Sequence, residues 1–440
     1  MNQIPRPQPA SSGANSPFSI FGRHPAITAV AVMTVYFVVL AWPHRDKADD
    51  FHYRRFGRLP VIDQGRFKPM DTSARIGLML ITHRQSFTNP DDDVTYPATK
   101  WYLDSATVAG VFRQEAAEAY DYKIFRIENE ELTRMLNIKR RPSMRYSYNE
   151  IFPEGSKNRE LLVNRVRHLA GDDEAGIAAV DARNYTLLDA KIMELWQHLQ
   201  VFEKINAQSA PLVIPDANGS DQWKSLARYY GDFVAQQADV GNGVDAQTFK
   251  TYMQLLMIYG GANGEDLQSR KKEFNKVLDA HLAELDKTQP SRMRAIDLEI
   301  FFNEFKPFQW SWIAYVAIAV FAASSWLAFS AGTAMRRAAF AAMAAIFVVH
   351  TGALILRMYL QGRPPVTNLY SSAIFIGWGC VGISMIAEAI FKNGISTVVG
   401  CALGFATLII ADWLSLDGDT MVMMQAVLDT NFWLATHVTC

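Results

Sequence analysis

Four long apolar runs fill the C-terminal third of the chain, at residues 312–329, 338–360, 369–391 and 395–413, with very short polar connections between them. A helix crosses a bilayer with roughly 17–25 predominantly apolar residues. Each run has this length and carries almost no charge. The pattern therefore predicts at least four transmembrane helices.

An earlier apolar run extends from about Pro25 to Trp42, after a tail (residues 1–22) whose Pro, Ser, Asn and Gln content is typical of disorder. A cleavable signal peptide would have a shorter apolar core and a small-x-small site after it. This run ends instead at Trp42, an aromatic residue typical of membrane interfaces. We therefore favour an uncleaved transmembrane anchor over residues 23–43, with a cytoplasmic tail before it.

Residues 44–308 have the mixed polar and charged composition of a water-soluble domain. Their apolar positions recur mainly at helical spacing, most clearly over residues 185–206. Pro60 and Gly65 mark a short strand and turn near the start of this domain. Asp71 or Thr72 is then predicted to cap a helix. The chain as a whole is predicted to be an all-α polytopic membrane protein with a mainly helical domain between its first two spans.

Composition excludes several classes of protein. The net charge is -1, and no basic stripe with interleaved aromatic residues indicates nucleic-acid binding. The three cysteines are Cys380, Cys401 and Cys440, so the predicted soluble domain has no disulfide framework. A C-x-x-C-H haem-attachment site is also absent from the sequence, so this chain is not itself a c-type cytochrome.

Lys and Arg in short connections predict the orientation, because such loops stay in the cytoplasm. Arg336 and Arg337 lie between the first two C-terminal runs, and Lys392 lies between the third and fourth. Placing both connections inside puts residues 44–308 and everything after Trp413 outside. The prediction is a multi-pass protein of the cell inner membrane with its large domain in the periplasm.

His437 is the leading candidate for chemistry. It follows Phe432 and Trp433 at the predicted outer membrane boundary. A neutral imidazole is the commonest protein ligand of haem iron, and aromatic neighbours suit a flat hydrophobic cofactor. The alternative is that His437 only caps a helix in the headgroup zone.

His350 and Arg357 are the next candidates, seven residues apart on one predicted membrane helix and therefore on one face. Ionisable groups within a span are costly and often functional. The imidazole could bind the metal of a macrocycle, and the guanidinium could pair with one of its carboxylates. The alternative is a histidine hydrogen-bonded to a neighbouring helix and an arginine that extends to the interface.

Two short motifs predict local structure in the C-terminal third. After Gly362, the sequence Arg-Pro-Pro-Val-Thr-Asn368 enforces a turn, and Asn368 is predicted to cap the next helix. Gly400 and Gly404, four residues apart, would allow two membrane helices to approach closely. Glu388 and Asp412, at the ends of spans, are predicted to be solvated or capping residues.

Two segments of the chain resemble motifs of the CcsA/ResC family. The first is Gly362-Arg-Pro-Pro-Val-Thr-Asn368-Leu-Tyr370, followed by Phe375 and Trp378. The second runs from Asn431 through Trp433 to His437-Val. These are membrane proteins of the system II cytochrome c assembly pathway. The resemblance covers roughly residues 310–440. The stretch from Pro60 to Asp71 resembles, more weakly, an extracytoplasmic domain fused ahead of this module in some bacterial members.

The resemblance implies cytochrome c biogenesis. In that family, haem b is cargo that crosses the membrane, is held outside at a tryptophan-rich segment flanked by two histidines, and is joined to apocytochrome c at C-x-x-C-H. His437 would be the first of these histidines and an axial ligand of the iron, with Trp433 beside the haem. Implied partners are apocytochrome c, a second assembly membrane protein, thiol-reducing proteins and the bilayer. The full-length protein would be part of a haem lyase.

Two departures from the family pattern stand out. Ser371 occupies the position where the family has Glu. The tryptophan-rich segment and second histidine are absent, because the sequence ends at Cys440, three residues after His437. The expectation is a C-terminally truncated fragment that does not complete haem attachment by itself. Two other functions stay open: a transporter or export subunit, and a membrane-anchored extracytoplasmic sensor or scaffold.

Overall fold

The computed structural model describes residues 24–42, 46–88, 94–108, 112, 118–170, 185–216, 222–236, 243–262, 264–328 and 331–421. Within these ranges the protein is mainly helical, as predicted, with four long apolar helices towards its C-terminus and a short apolar helix near its N-terminus. Length and composition allow each long helix to cross a membrane. The chain is a multi-pass membrane protein.

The helices, in chain order, are α1 (Pro25–Leu40), α2 (Tyr53–Phe56), α3 (Met70–Thr82), α4 (Ala98–Ala106), α5 (Glu130–Met135), α6 (Tyr148–Ile151), α7 (Asn158–Ala170), α8 (Leu187–Asn206), α9 (Leu226–Gln236), α10 (Val244–Gly260), α11 (Leu267–Thr288), α12 (Pro290–Phe305), α13 (Pro307–Ser324), α14 (Gly332–Gln361), α15 (Leu369–Phe391) and α16 (Ile395–Leu414). The strands are β1 (Pro60–Asp63), β2 (Arg66–Pro69), β3 (Ser86–Thr88), β4 (Thr95–Pro97), β5 (Phe125–Arg126) and β6 (Arg145–Tyr146). Each odd-numbered strand pairs antiparallel with the strand that follows it.

The described residues form two units. One, here called the membrane unit, contains residues 24–42 and Phe305–Leu414. The other, the globular unit, contains residues 46–304 and 415–421. Lys306, in the left-handed backbone conformation (φ 47°), lies between α12 and α13.

In the membrane unit, glycine residues lie at the contact between α15 and α16. In the same unit, α16 packs against α13 and α15, while α14 packs against α1 and α13. A Cβ atom added at Gly400 would lie 2.5 Å from Cβ of Ser384, and one added at Gly404 would lie 2.9 Å from Cγ2 of Val381. Glycine therefore permits the close approach of α16 to α15, as the glycine spacing predicted.

The ends of the membrane helices follow the local motifs. α14 ends at Gly362, whose left-handed backbone (φ 66°) suits a glycine. The Ser371 N–H donates to Oδ1 of Asn368 (2.8 Å), which confirms Asn368 as the cap of α15. Glu388 is a capping residue too, because it accepts from the N–H groups of Gly394 (2.8 Å) and Thr397 (3.2 Å) at the start of α16. It is buried rather than solvated.

The globular unit has one continuous hydrophobic core rich in aromatic residues. The predicted helix over residues 185–206 is confirmed as α8, which buries Ile192, Leu195 and Leu199. Thr186 begins it with a capping box.

The predicted strand and turn are confirmed by the β1–β2 hairpin, but the predicted cap of the next helix is wrong. Helix α3 begins at Met70 after Pro69, and no side chain caps it. Asp71 lies inside the first turn, where its carboxylate accepts from Nε of Arg75 (2.7 Å). Thr72 donates to Oε1 of Glu299 (2.8 Å) instead. Of the two residues predicted to cap α3, Thr72 is therefore hydrogen-bonded to a residue outside the helix.

Candidate functional site

The predicted site residues fall into two groups. His437 and Trp433 lie outside the described residues, which end at Met421. His350 and Arg357 lie on α14, and both are buried, with 0% and 3% of their surface exposed. Burial of an imidazole and a guanidinium in an apolar helix bundle is costly, so the surrounding groups decide what each can do.

His350 is surrounded by aromatic side chains from α13. The ring of Phe308 lies edge-on to the imidazole, with centroids 5.6 Å apart, and the Tyr315 ring lies 6.2 Å away. The Tyr315 hydroxyl and His350 Nδ1 form a hydrogen bond of 3.4 Å. Nε2 is buried, and the backbone of Ile374 on α15 offers the imidazole a further hydrogen bond. Neutral histidine binds metals through either nitrogen, so His350 would be a metal ligand only where that backbone contact is given up.

Arg357 lies two turns further along α14 and contacts the start of α15. Its guanidinium carbon is 4.6 Å from the centroid of the Tyr370 ring, within the range of a cation–π contact. Its Nη2 donates to Oγ of Ser371 (3.3 Å). The turn after Gly362 and the Asn368 cap therefore bring two motif residues against the guanidinium.

Ser371 is buried and supplies a hydroxyl to this contact. Besides Arg357, its Oγ lies 3.4 Å from the hydroxyl of Thr367. A hydroxyl accepts a hydrogen bond from a guanidinium but does not neutralise its charge. Ser371 therefore contacts Arg357 through a hydroxyl and not through a carboxylate.

The structure adds Phe308 and Tyr315 to the residues that sequence reasoning found. Tyr315 is the tyrosine of α13, and its hydroxyl in an otherwise apolar run is a signal that could have singled it out. Phe308 gave no such signal, because it is one of several aromatic residues just before the first C-terminal apolar run, a pattern typical of a membrane interface. Within the described residues, no group of three His, Cys, Asp or Glu side chains could hold a metal ion.

Comparison with known proteins gives a partial similarity. No family model matches the chain. It is 28% identical over 93 residues to the cytochrome c biogenesis protein CcsA of Prochlorococcus marinus strain NATL1A, and equally so to that of strain NATL2A. The match covers 20% of this chain and 28% of each relative, so the chain spans little more than a quarter of the curated relatives it matches. Over that stretch, the chain is similar to proteins named for cytochrome c biogenesis.

Proposed function

We propose that this protein takes part in cytochrome c biogenesis, where it binds or exports haem and presents it for covalent attachment to apocytochrome c. The similarity to the two CcsA proteins carries the proposal. The imidazole of His350, buried inside the membrane unit, supports the proposal because a neutral histidine is a ligand for haem iron.

Haem is the cargo in this proposal, and the protein's part is to hold and orient it. Attachment requires reduced iron and vinyl groups placed near two thiols, so positioning contributes more than proton transfer does. His350 would bind the iron through Nε2, and Arg357 would pair with a propionate. Since His350 is fully buried, a flat ligand must enter between helices to reach it.

His437 and Trp433 form the second proposed haem contact, on the periplasmic side. The proposed side follows from Arg336, Arg337 and Lys392 in the short connections, which would lie in the cytoplasm. His437 would be the axial ligand from which haem is presented to the C-x-x-C-H thiols of apocytochrome c. A second assembly protein and thiol-reducing proteins complete the proposed set of partners.

The test is the absorbance of haem in membranes that contain the protein. Purified protein should show a Soret band, and His350→Ala and His437→Ala should each change or weaken it. His168→Ala is the matched control, because His168 is an exposed histidine of the globular unit. Protein that stays colourless in haem-replete cells would contradict the proposal.

One observation favours a second function, a sensor or scaffold. The globular unit has an open groove of about 970 Å³, lined by Phe249, Met253 and Met257 with Lys250 and Lys272. A groove lined by both apolar and charged side chains suits a ligand or peptide. If sensing or scaffolding is the main function, replacing the four long apolar helices with unrelated membrane anchors should leave the protein able to support cytochrome c assembly in cells. If the haem proposal is right, the same replacement should abolish cytochrome c assembly.

A further inference from the structure

Two arginines face each other across the short β5–β6 ladder of the globular unit. Arg126 on β5 lies directly opposite Arg145 on β6. The next pair of the ladder, Phe125 and Tyr146, is fully buried in the core, so both arginines project from the other face. Like charges directly opposite each other destabilise a ladder. The arrangement therefore costs free energy unless another group compensates for it.

Carboxylates compensate for only one of these two arginines. Oε1 of Glu128 lies 2.5 Å from Nη2 of Arg126. Arg145 donates instead from Nη2 to the backbone oxygen of Thr82 at the end of α3 (3.1 Å). Within the described ranges, no carboxylate forms an ion pair with Arg145 or with Arg84, two positions after Thr82. Burial lowers the pKa of Arg145, and the nearby charges of Arg84 and Arg126 lower it further.

A small pocket of about 150 Å³ adjoins the ladder. Cations from three parts of the globular unit line it: His83 after α3, Arg126 of β5 and Lys191 of α8. Glu128 and Glu194 line it too, but each already contacts a cation. Glu128 pairs with Arg126, and Oε2 of Glu194 lies 2.7 Å from Nζ of Lys191. The pocket has room for one small oxyanion and none for a large cofactor.

The charges around the pocket do not cancel. Two ion pairs are neutral, and the guanidinium groups of Arg84 and Arg145 leave two positive charges without a carboxylate partner among the described residues. A terminal phosphate group carries about −1.5 to −2 at pH 7 and has three strong acceptor oxygens. The planar fork of a guanidinium matches phosphate oxygens in geometry as well as in charge. A single carboxylate would neutralise only half of the excess.

We propose that the pocket lined by His83, Arg126 and Lys191, together with the adjacent Arg84 and Arg145, is a binding site for a dianionic phosphate group. The site lies in the globular unit and goes beyond the proposed function, because it needs no haem. Inorganic phosphate, a small phosphate monoester and the headgroup of phosphatidic acid all carry this group.

Isothermal titration calorimetry of the full chain in detergent tests the site, with inorganic phosphate as the probe. Phosphate should bind saturably, and acetate should bind at least roughly tenfold more weakly because it has a single charge. Arg126→Gln and Arg145→Gln should each weaken phosphate binding roughly ten- to a hundredfold, since each removes hydrogen bonds between charged groups. Arg134→Gln is the matched control, because Arg134 is 75% exposed and does not line the pocket.

Thermal unfolding separates a binding role from a structural one. Arg145→Gln relieves the repulsion across the ladder, so without phosphate the variant should be at least as stable as the wild type. Phosphate should raise the Tm of the wild type and of Arg134→Gln but not that of Arg145→Gln. A wild type without saturable phosphate binding overturns the inference, as does an Arg145→Gln protein with wild-type affinity. An Arg145→Gln protein that is less stable than the wild type without phosphate would also contradict it, since the arginine would then be structural.

The source of the phosphate is tested by competition against bound inorganic phosphate. Glycerol 3-phosphate and a water-soluble short-chain phosphatidic acid carry the same group, but only the second has acyl chains. Equal affinities support a site for small phosphate monoesters. Tighter binding of the phosphatidic acid supports a site for a lipid headgroup. Failure of both to displace inorganic phosphate overturns the assignment to a phosphate ester and leaves free phosphate as the ligand.

Discussion

Nζ of Lys68 lies 2.9 Å from Oδ2 of Asp419, although 351 positions separate the two residues in the chain. Both are buried within the globular unit, Lys68 completely, and Asp63 provides a second carboxylate 3.1 Å from the same ammonium. Arg66 beside them donates to both carboxylate oxygens of Glu299 (2.7 and 2.9 Å). The β1–β2 hairpin is thereby connected to α12 and to the segment that follows α16.

The first prediction concerns this ion pair. Asp419→Asn should lower the free energy of unfolding of the globular unit by roughly 3 kcal/mol, since it leaves a buried ammonium with one carboxylate fewer. Burial alone would raise the pKa of Asp419, but Lys68 and Arg66 outweigh it and hold that pKa below its usual value. Thermal unfolding of the full chain in detergent measures the change.

The control for that prediction is a double-mutant cycle. Lys68→Met removes the buried charge, so Asp419→Asn should cost clearly less in the Lys68→Met background than in the wild type. Equal costs in both backgrounds would show that the two residues are not coupled.

A second prediction follows from packing in the membrane unit. Gly400→Ala should destabilise the protein by about 1–3 kcal/mol, because the new methyl group overlaps Ser384 on α15. Gly379→Ala is the matched control, since a Cβ atom there meets nothing within 4 Å. Comparison of their thermal stabilities in detergent tests the close contact directly, and equal stabilities would argue against it.

Glu388 provides a third prediction. Its carboxylate accepts from two backbone N–H groups at the start of α16. Glu388→Ala should cost roughly 1–2 kcal/mol, as loss of a helix cap does, and Glu388→Gln should cost less because one acceptor oxygen remains. Hydrogen exchange of the Gly394 and Thr397 amides should accelerate in the alanine variant. Unchanged exchange would contradict the capping role.

A fourth prediction concerns pH. Burial lowers the pKa of His198 in α8, helped by His83 and Lys191 and opposed by Glu194. The unfolded chain therefore binds a proton at higher pH than the folded chain does. The neutral His198 side chain therefore makes its full contribution to stability above the unfolded pKa of about 6.5. That contribution is lost as the pH falls below 6.5 and through the lower pKa of the folded state.

His198→Gln removes that group, so the variant should lose less stability than the wild type between neutral and mildly acidic pH. Thermal unfolding of the full chain across this range gives the comparison. His168→Gln is the control, because His168 is exposed. An unchanged pH dependence in His198→Gln would assign the acid sensitivity to other groups.

Sequence alone determined those features that depend on periodicity or on local backbone chemistry. Apolar runs predict membrane helices because lipid leaves no alternative partner for the backbone. Asn368 caps a helix through neighbours close in sequence. Gly362, Gly400 and Gly404 act through the absence of a side chain. The helical fold, the end of α14 at Gly362, the start of α15 at Asn368 and the close helix contact could therefore be predicted.

The tertiary structure decided which polar groups meet. Nothing local relates Tyr315 to His350, Arg357 to Ser371, or Lys68 to Asp419, because each pair joins different elements of the chain. Thr72 illustrates the same limit, since a residue of capping type donates instead to Glu299, 227 positions away in the chain. Side chains with several possible partners take those that folding brings within reach, and burial then makes an unpaired group costly. Local sequence lists the candidates, and only packing selects among them.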